Sequence, residues 1–370
     1  MPFKTRICEL LEVEHPIFQA GMGSLPGHGV LAGPELVAAV SNAGGLGVLG
    51  CAGMTPDDTD AWIRRTQALT QKPFGIDIVL PAGRPPSGSF EQFRAQIDRP
   101  YWEFVEGVRK RYGIPAPKAR TEPIYTRMTV EDTERQVEII LDHRVPVFAT
   151  GLGSDPGIVR RMHDRNIKVL ALVGNTRTGR QVAEMGVDVV VATGTEGGGH
   201  GGLIGTLALV RSCSQAVAPL PLVAGGGIVD GKGLAAALAL GAEGVWCGTL
   251  FLTAAESGIA DWYRDLILQG DENSTIQSKI LSGKNNRHFA PPWEKDWAAE
   301  GRKLLPFPFQ GILAWDLLDS AIQAGMGEFG GGRAGQGIGV LTGVRTAEKI
   351  IQDMIREASE AADRLRSLKT

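Results

Sequence analysis

Between the first residues and about position 250, short apolar runs rich in β-branched residues alternate with stretches of helical periodicity. The eight runs are Pro16–Ala20, Gly47–Leu49, Phe74–Leu80, Val145–Thr150, Ile167–Val173, Val187–Ala192, Leu220–Ala224 and Gly244–Cys247. Between them lie Pro34–Asn42, Asp57–Leu69, Val130–Asp142, Asp155–Arg165, Arg177–Met185, Leu203–Ala216 and Gly231–Leu240, several opening with the Pro or Asp that first helical turns prefer. Parallel neighbours need a crossover connection, which these helical stretches supply. The pattern predicts an α/β protein built as a (β/α)8 TIM barrel, whereas a doubly wound sheet would need fewer strands and a reversal of order.

Two segments leave the alternation. Residues 81–129 contain PAGRPPSG and RYGIPAPKAR, and read as an insertion after strand 3 carrying a helix over Phe90–Tyr112. Residues 251–345 mix helices with the aromatic, proline-rich stretch Phe289–Phe309, and predict a C-terminal, mainly helical cap that forms a substrate subdomain. The stripe Ala347, Ile350, Ile351, Met354, Ile355, Ala358, Ala362, Leu365 has helical spacing and predicts a terminal helix within 346–370 that returns to the barrel. The barrel itself is expected to span 1–250, the 81–129 excursion included.

With 43% apolar and 21% charged residues the chain can bury a sizeable core. Its 38 Lys+Arg and 41 Asp+Glu leave a net charge of -3, which offers no global attraction to nucleic acid or anionic lipid. No apolar stretch approaches a membrane span and no secretory core precedes Pro16, so no membrane partner and a cytoplasmic location are expected. Cys8, Cys51, Cys213 and Cys247 are widely separated, with no C-x-x-C and no His at ligand spacing. Buried, reduced thiols are expected, with neither disulfide nor metal site.

The 50 glycines are nearly twice the usual share of about 7%, and they cluster. Gly45-Leu-Gly47-Val-Leu-Gly50 and Gly197-Gly-Gly199-His-Gly-Gly202 both fit G-x-G-x-x-G, but the first runs from a helix into a strand, the reverse of a dinucleotide fingerprint. Gly226-Gly-Ile-Val-Asp-Gly231-Lys232 lacks the Ser or Thr that a nucleotide-binding Walker loop needs at Gly233. Val223-Ala-Gly225-Gly226-Gly227-Ile228 and Cys247-Gly248-Thr249 follow strands 7 and 8, where barrels of this kind bind phosphate. Together they predict one anion cradle. Thr193-Gly194-Thr-Glu196-Gly-Gly-Gly199-His200-Gly-Gly202 follows strand 6 and opens on the same end, its glycines expected to let backbone approach a ligand closely. His200 is the favoured base there, and Glu196 the rival base or the group orienting His200. His15, His28, His143, His163 and His288 sit in helical or polar irregular contexts, and no G-x-S-x-G supports a serine hydrolase.

Pro16-Ile-Phe-Gln-Ala-Gly-Met22, Ser41-Asn-Ala-Gly-Gly-Leu-Gly47, Phe74-Gly-Ile-Asp77, the Thr193–His200 loop, Ala224-Gly-Gly-Gly-Ile228, Gly248-Thr249, Leu281-Ser-Gly-Lys and Ala334-Gly-Gln-Gly-Ile338 together resemble the nitronate monooxygenase (2-nitropropane dioxygenase) family over residues 7 to 355. The resemblance implies an FMN flavoprotein, an oxidoreductase that converts alkyl nitronates, with nitroalkanes as a further substrate class, by molecular oxygen into carbonyl compound and nitrite. It places FMN against Ala20, Gly21, Met22, Asp77, Thr193, Gly194, Gly226, Gly227, Gly248 and Thr249, with Gly199, Gly225 and Cys247 completing those loops, and the catalytic role on His200. Asp77 stands where the family has Asn, and Thr193 where Gln is common. Two other classes share parts of the signature: an FMN-dependent NAD(P)H reductase of enoyl thioesters or quinones, and a flavin-free, phosphate-binding isomerase or lyase. The expected partners are a small-molecule substrate and oxygen, with a homodimer left open.

Overall fold

Eight parallel strands wrap into a barrel in the computed structural model, which describes residues 3–24, 27–80, 89–118, 121–123, 129–151 and 153–369. They are β1 (Ile17–Gln19), β2 (Gly47–Gly50), β3 (Phe74–Val79), β4 (Val147–Gly151), β5 (Lys168–Val173), β6 (Val189–Thr193), β7 (Leu222–Gly225) and β8 (Gly244–Cys247). Pairing runs from β2 in sequence order to β8 and on to β1. The seam between β1 and β2 is sewn by Gln19 N donating to Leu46 O at 2.9 Å and Leu46 N donating to Ile17 O at 3.1 Å. The fully buried Gln19 amide adds another rung, donating to Val48 O and accepting from Val48 N, each at 3.2 Å. A primary amide carries a donor and an acceptor, so it can stand in for a missing peptide in the ladder.

The period-2 alternation of each strand sorts the core into two layers. Phe18, Val48, Val147, Ala149, Leu170, Val189, Val191, Val223 and Trp246 fill the barrel. Ile17, Leu49, Ile76, Ile78, Phe148, Val190, Ala192 and Val245 face the helices. Helix starts are set by side-chain oxygens that accept from first-turn amides: Thr55 for Pro56–Leu69, Thr129 for Val130–His143, Asp155 for Pro156–His163, Asn175 for Thr176–Glu184 and Asp230 for Gly231–Ala239. The sequence expectation therefore holds strand by strand, with ends displaced by one or two residues.

The terminal helix, Ala347–Ser367, buries Ala347, Ile350, Ile351, Met354 and Ala358. It lies so close to Gly231–Ala239 that a Cβ on Gly231 would stand 2.2 Å from Met354 O. Leu365, the last member of the expected stripe, is 55% exposed, because the final turns run past their supports.

Outside the barrel the structure differs from the sequence reading in two respects. The helix expected over Phe90–Tyr112 is two helices, Phe90–Ala95 and Arg99–Tyr112. Pro100 has no N–H and cannot continue a helix through residue 96, but fits the first turn of a new one. The described part of the excursion, residues 89–118, also packs into the core of the cap. Phe93, Phe104, Val105 and Val108 share one core with Leu281, Trp293, Trp297, Ile312 and Leu317. Arg109 fastens the two, donating to Asp316 Oδ2 at 2.6 Å and Ser320 Oγ at 2.7 Å, both buried. Residues 81–88 lie outside the described residues.

The cap contains helices Asp261–Gln269, Glu294–Ala299 and Phe309–Gln323, but also an antiparallel hairpin, Thr275–Ser278 with Asn286–Phe289. That hairpin takes Gly199–His200, from the loop after β6, as its third strand. The cap is mainly helical, as expected, and this hairpin stitches it to the barrel mouth by backbone pairing. Among the described residues no helix is long and apolar enough to cross a membrane, and no cluster of His, Cys, Asp and Glu could hold a metal ion. All four cysteines are buried and free.

Candidate active site

A cavity of about 1800 Å3 opens at the C-terminal end of the strands, under the cap. Its wall brings together Ala20, Gly21 and Met22 after β1, Asp77 in β3, Thr193 at the end of β6, Gly199 and His200, Gly226 and Gly227 after β7, and Gly248 and Thr249 after β8. Gly194, Glu196, Gly225 and Cys247 do not line it. Gly194 and Gly225 hold the loops together instead, Gly194 N donating to Gly225 O at 2.9 Å. The Cys247 thiol faces the helix layer, where burial pushes its pKa up to about 12 and keeps it inert.

At the phosphate-type end, Gly226 and Gly227 adopt φ of 101° and 71°, values an L side chain rarely adopts. The Thr206 hydroxyl lies 3.0 Å from Gly226 O and ties this turn to helix Thr206–Ala216, which follows β6. Across the cradle, Thr249 Oγ1 accepts from Gly335 N at 3.0 Å. A Cβ on Gly248 would meet only Met22 Sδ at 3.4 Å and Ala20 Cβ at 3.8 Å, so the space above it is open to a ligand. Thr193 faces inward by strand parity, and its buried Oγ1 has no partner. A buried hydroxyl left unpaired is costly unless a ligand or water satisfies it. A glycine-walled cradle, an orphaned hydroxyl and a roomy cavity fit a mononucleotide-type cofactor.

The glycines between Gly197 and Gly202 serve a purpose the sequence reading missed. A Cβ on Gly198 would lie 2.7 Å from the Ala334 carbonyl carbon, and one on Gly202 2.7 Å from Gly174 O. Part of the close approach is therefore to the protein's own cap and neighbouring loop.

Glu196 is likewise placed differently from expectation. Its carboxylate accepts from Thr206 N at 2.8 Å and 3.1 Å and from Thr206 Oγ1 at 2.7 Å, which makes it the cap of helix Thr206–Ala216. No hydrogen bond joins it to His200 among the described residues.

His200 sits on the short strand paired with Asn286–Arg287, half-buried, with Nε2 2.9 Å from Ser282 Oγ. Burial, reinforced by the nearby positive charges of Arg333 and Lys284 and by His288, pushes its pKa down to about 3. It is neutral at physiological pH. Lys284 lines the same cavity, its Nζ 4.3 Å from the centre of the Phe307 ring, and Arg333 lines it too. Lys284 and Arg333 were not given a role from the sequence, although Lys284 closes the Leu281-Ser-Gly-Lys motif and Arg333 directly precedes Ala334-Gly-Gln-Gly-Ile338. Short motifs in a cap carry no barrel position from which a role can be read.

The nitronate monooxygenase family profile matches residues 4–357. The chain belongs to this family. Membership makes it an oxidoreductase of a flavin-dependent group, and sets aside the flavin-free isomerase or lyase. A nitronate monooxygenase of Paraburkholderia phytofirmans is 33% identical over 98% of this chain and 97% of its own length. Among solved structures, a nitroalkane oxidase from Streptomyces ansochromogenes superposes with a TM-score of 0.80 at 27% identity, covering 97% of this chain and 99% of that one. FabK from Thermotoga maritima superposes with a TM-score of 0.75 at 29% identity, covering 99% of both.

Proposed function

We propose that this chain holds FMN at the barrel mouth and oxidises alkyl nitronates with molecular oxygen to a carbonyl compound and nitrite. The observation that carries this reading is one cavity with a single glycine cradle at one side and His200, Lys284 and Arg333 at another. FMN has one phosphate, and one cradle suits it. Backbone at Gly226, Gly227, Gly248 and Thr249 would hold that phosphate, while Ala20–Met22, Asp77 and Thr193 would border the ring system. When bound, the flavin supplies a two-electron acceptor for the nitronate and a donor for oxygen.

The protein's own groups select the ionised substrate. Lys284 and Arg333 bring positive charge to the wall where an anion must arrive. His200, fixed by Ser282, offers a neutral imidazole beside them. His200 is also the group proposed to take the proton from a neutral nitroalkane, but an imidazole pushed down to about 3 is a weak base for that step. The preformed nitronate should therefore turn over faster than the neutral nitroalkane by about 100-fold or more, the scale on which general-base catalysis acts. His200→Asn should impair the neutral substrate more than the ionised one.

Ligand pockets commonly occupy about 300 to 1000 Å3, and the larger volume here leaves room for a second extended ligand. An NAD(P)H-dependent flavin reductase is accordingly the second reading. The deciding experiment is to denature the purified protein, identify the released chromophore, and mix the intact protein with NADH or NADPH without oxygen. FMN release and slow reduction by nucleotide support nitronate oxidation. Rapid bleaching moves the assignment to a reductase, and release of FAD or no flavin overturns the reading.

A further inference from the structure

Asp77 is the one carboxyl on the inward face of β3, among the backbone and apolar side chains that line the barrel mouth. Its register partners are Gly50 in β2 and Ala149 in β4, both small, and its outward neighbours Ile76 and Ile78 pack beneath the helices. Asp77 is only 9% exposed, that exposure is to the cavity it lines, and its carboxyl has no hydrogen bond or ion pair among the described residues. Gly21 presses on it from the loop after β1, for a Cβ there would stand 2.3 Å from Asp77 Cβ and 2.8 Å from Oδ2. The side chain therefore has little freedom to turn away from the cavity.

An ionised carboxylate at this place would be a buried charge with no counterion, which proteins avoid by neutralising the group. Every packed element agrees. The Cys51 thiol, one residue past β2, lies on the helix side of the sheet, and burial together with Asp77 pushes that thiol up. Burial alone pushes Asp77 well above the usual carboxylate range. The cations of the cavity are not among the groups acting on it.

We propose that Asp77 is a neutral carboxylic acid whose O–H donates a hydrogen bond to the flavin ring at the barrel mouth. The inference rests on the FMN reading above. It assigns this chain a donor where an ionised Asp would offer only acceptors, and makes Asp77 a positioning residue for the cofactor rather than a base.

The test uses the FMN-loaded protein at pH 7 to 8, after released chromophore has confirmed FMN. Infrared difference spectra between wild type and Asp77→Asn should show the carbonyl stretch of a protonated carboxylic acid in the wild type alone. On protein stripped of flavin, FMN titration should give Asp77→Asn, which keeps a donor, within about 2-fold of wild type, and Asp77→Ala weaker by about 2- to 10-fold, one hydrogen bond's worth. A yellow, FMN-loaded wild type that shows a carboxylate band instead overturns the proposal while leaving the FMN reading intact. So does Asp77→Ala binding FMN as tightly as wild type. A protein that takes up no flavin overturns both.

Discussion

Removing the Glu196 carboxylate should cost stability before it costs chemistry. In Glu196→Ala, Thr206 N loses its acceptor and Thr206 Oγ1 loses the oxygen 2.7 Å away. Loss of a helix cap costs about 1 kcal/mol, and the charge at the positive end of the helix adds about 0.3 to 1 kcal/mol. A total near 2 kcal/mol is reasonable because both bonds are charge-assisted. With about 2.1 cal/mol/K of unfolding entropy per residue over 370 residues, Tm should fall by about 3 °C. Glu196→Gln keeps an acceptor and should lose about half as much. With Glu196 gone, the Thr206 hydroxyl is free to give its single proton to Gly226 O, 3.0 Å away, so the turn keeps its tie and FMN content should stay at the wild-type level. Differential scanning fluorimetry on flavin-loaded protein, flavin titration, and kcat at saturating nitronate separate these effects. Loss of kcat by 100-fold or more with Tm and FMN content unchanged would show that Glu196 takes part in proton transfer, and the capping argument would fail.

Gly248→Asp should fold with a Tm near wild type yet purify without colour, since its φ of -95° is ordinary and the added carboxylate points into open space that a phosphate would need; a yellow variant would refute the cradle. Gly226→Asp is the harsher change, because φ is 101° and a Cβ meets Thr206 Oγ1 at 2.8 Å and Gly194 O at 2.9 Å, so its Tm should fall as well. His200 stays neutral in the fold down to about pH 3, while the unfolded chain takes up that proton near pH 6.5; its contribution to stability is complete above 6.5 and is lost as pH falls towards 3. The Tm of flavin-free wild type should thus drop more between pH 7 and 4 than that of His200→Asn, and parallel curves would contradict a depressed imidazole. Asp316→Ala takes the buried carboxylate from both Arg109 and Arg94 and leaves Arg109 only the exposed Glu106, which should cost about 3 kcal/mol. Limited proteolysis should then cut within residues 89–118 well before the barrel, and unchanged cleavage would refute the cap–excursion linkage.

The barrel was legible because its information is local and periodic. Val187–Ala192 or Ile167–Val173 could only be strands buried on both faces, and the Asp, Asn and Thr residues between runs are the caps seen in the structure. The cradle was legible for a related reason: once the strands are counted, a glycine turn after strands 7 and 8 has a known position. The cap hairpin was not. Thr275-Ile-Gln-Ser and Asn286-Arg-His-Phe are only four residues each and mostly polar, and their pairing depends on Gly199–His200, some 86 residues earlier than Asn286 by register. Pro100 could have divided Phe90–Tyr112 in advance, since a proline marks a helix start more often than an interior. The bond from Thr206 to Glu196 was not legible, because Thr206 becomes a helix terminus only in the fold.

The glycine loop after β6 unites what the sequence treats as separate. Gln336 N donates to Glu196 O at 2.9 Å, Gly335 N donates to Thr249 Oγ1 at 3.0 Å, and Gly335 itself stands where a Cβ would come within 2.6 Å of Glu196 O. Segment 334–337 thus crosses both the β6 loop and the β8 turn, with a glycine at 335 where the backbones meet. Arg333 enters the cavity immediately before this crossing, and His200 leaves the same loop to pair with the cap hairpin. The anion cradle and the cationic wall are therefore tied by one backbone crossing rather than built on independent loops. Any residue larger than glycine at 198 or 335 must push the cap away from the barrel mouth, moving Arg333 and the cradle together. Selection for glycine at these places would act through cap position as much as through flavin contact, which is why counting glycines alone overstated how many of them face a ligand.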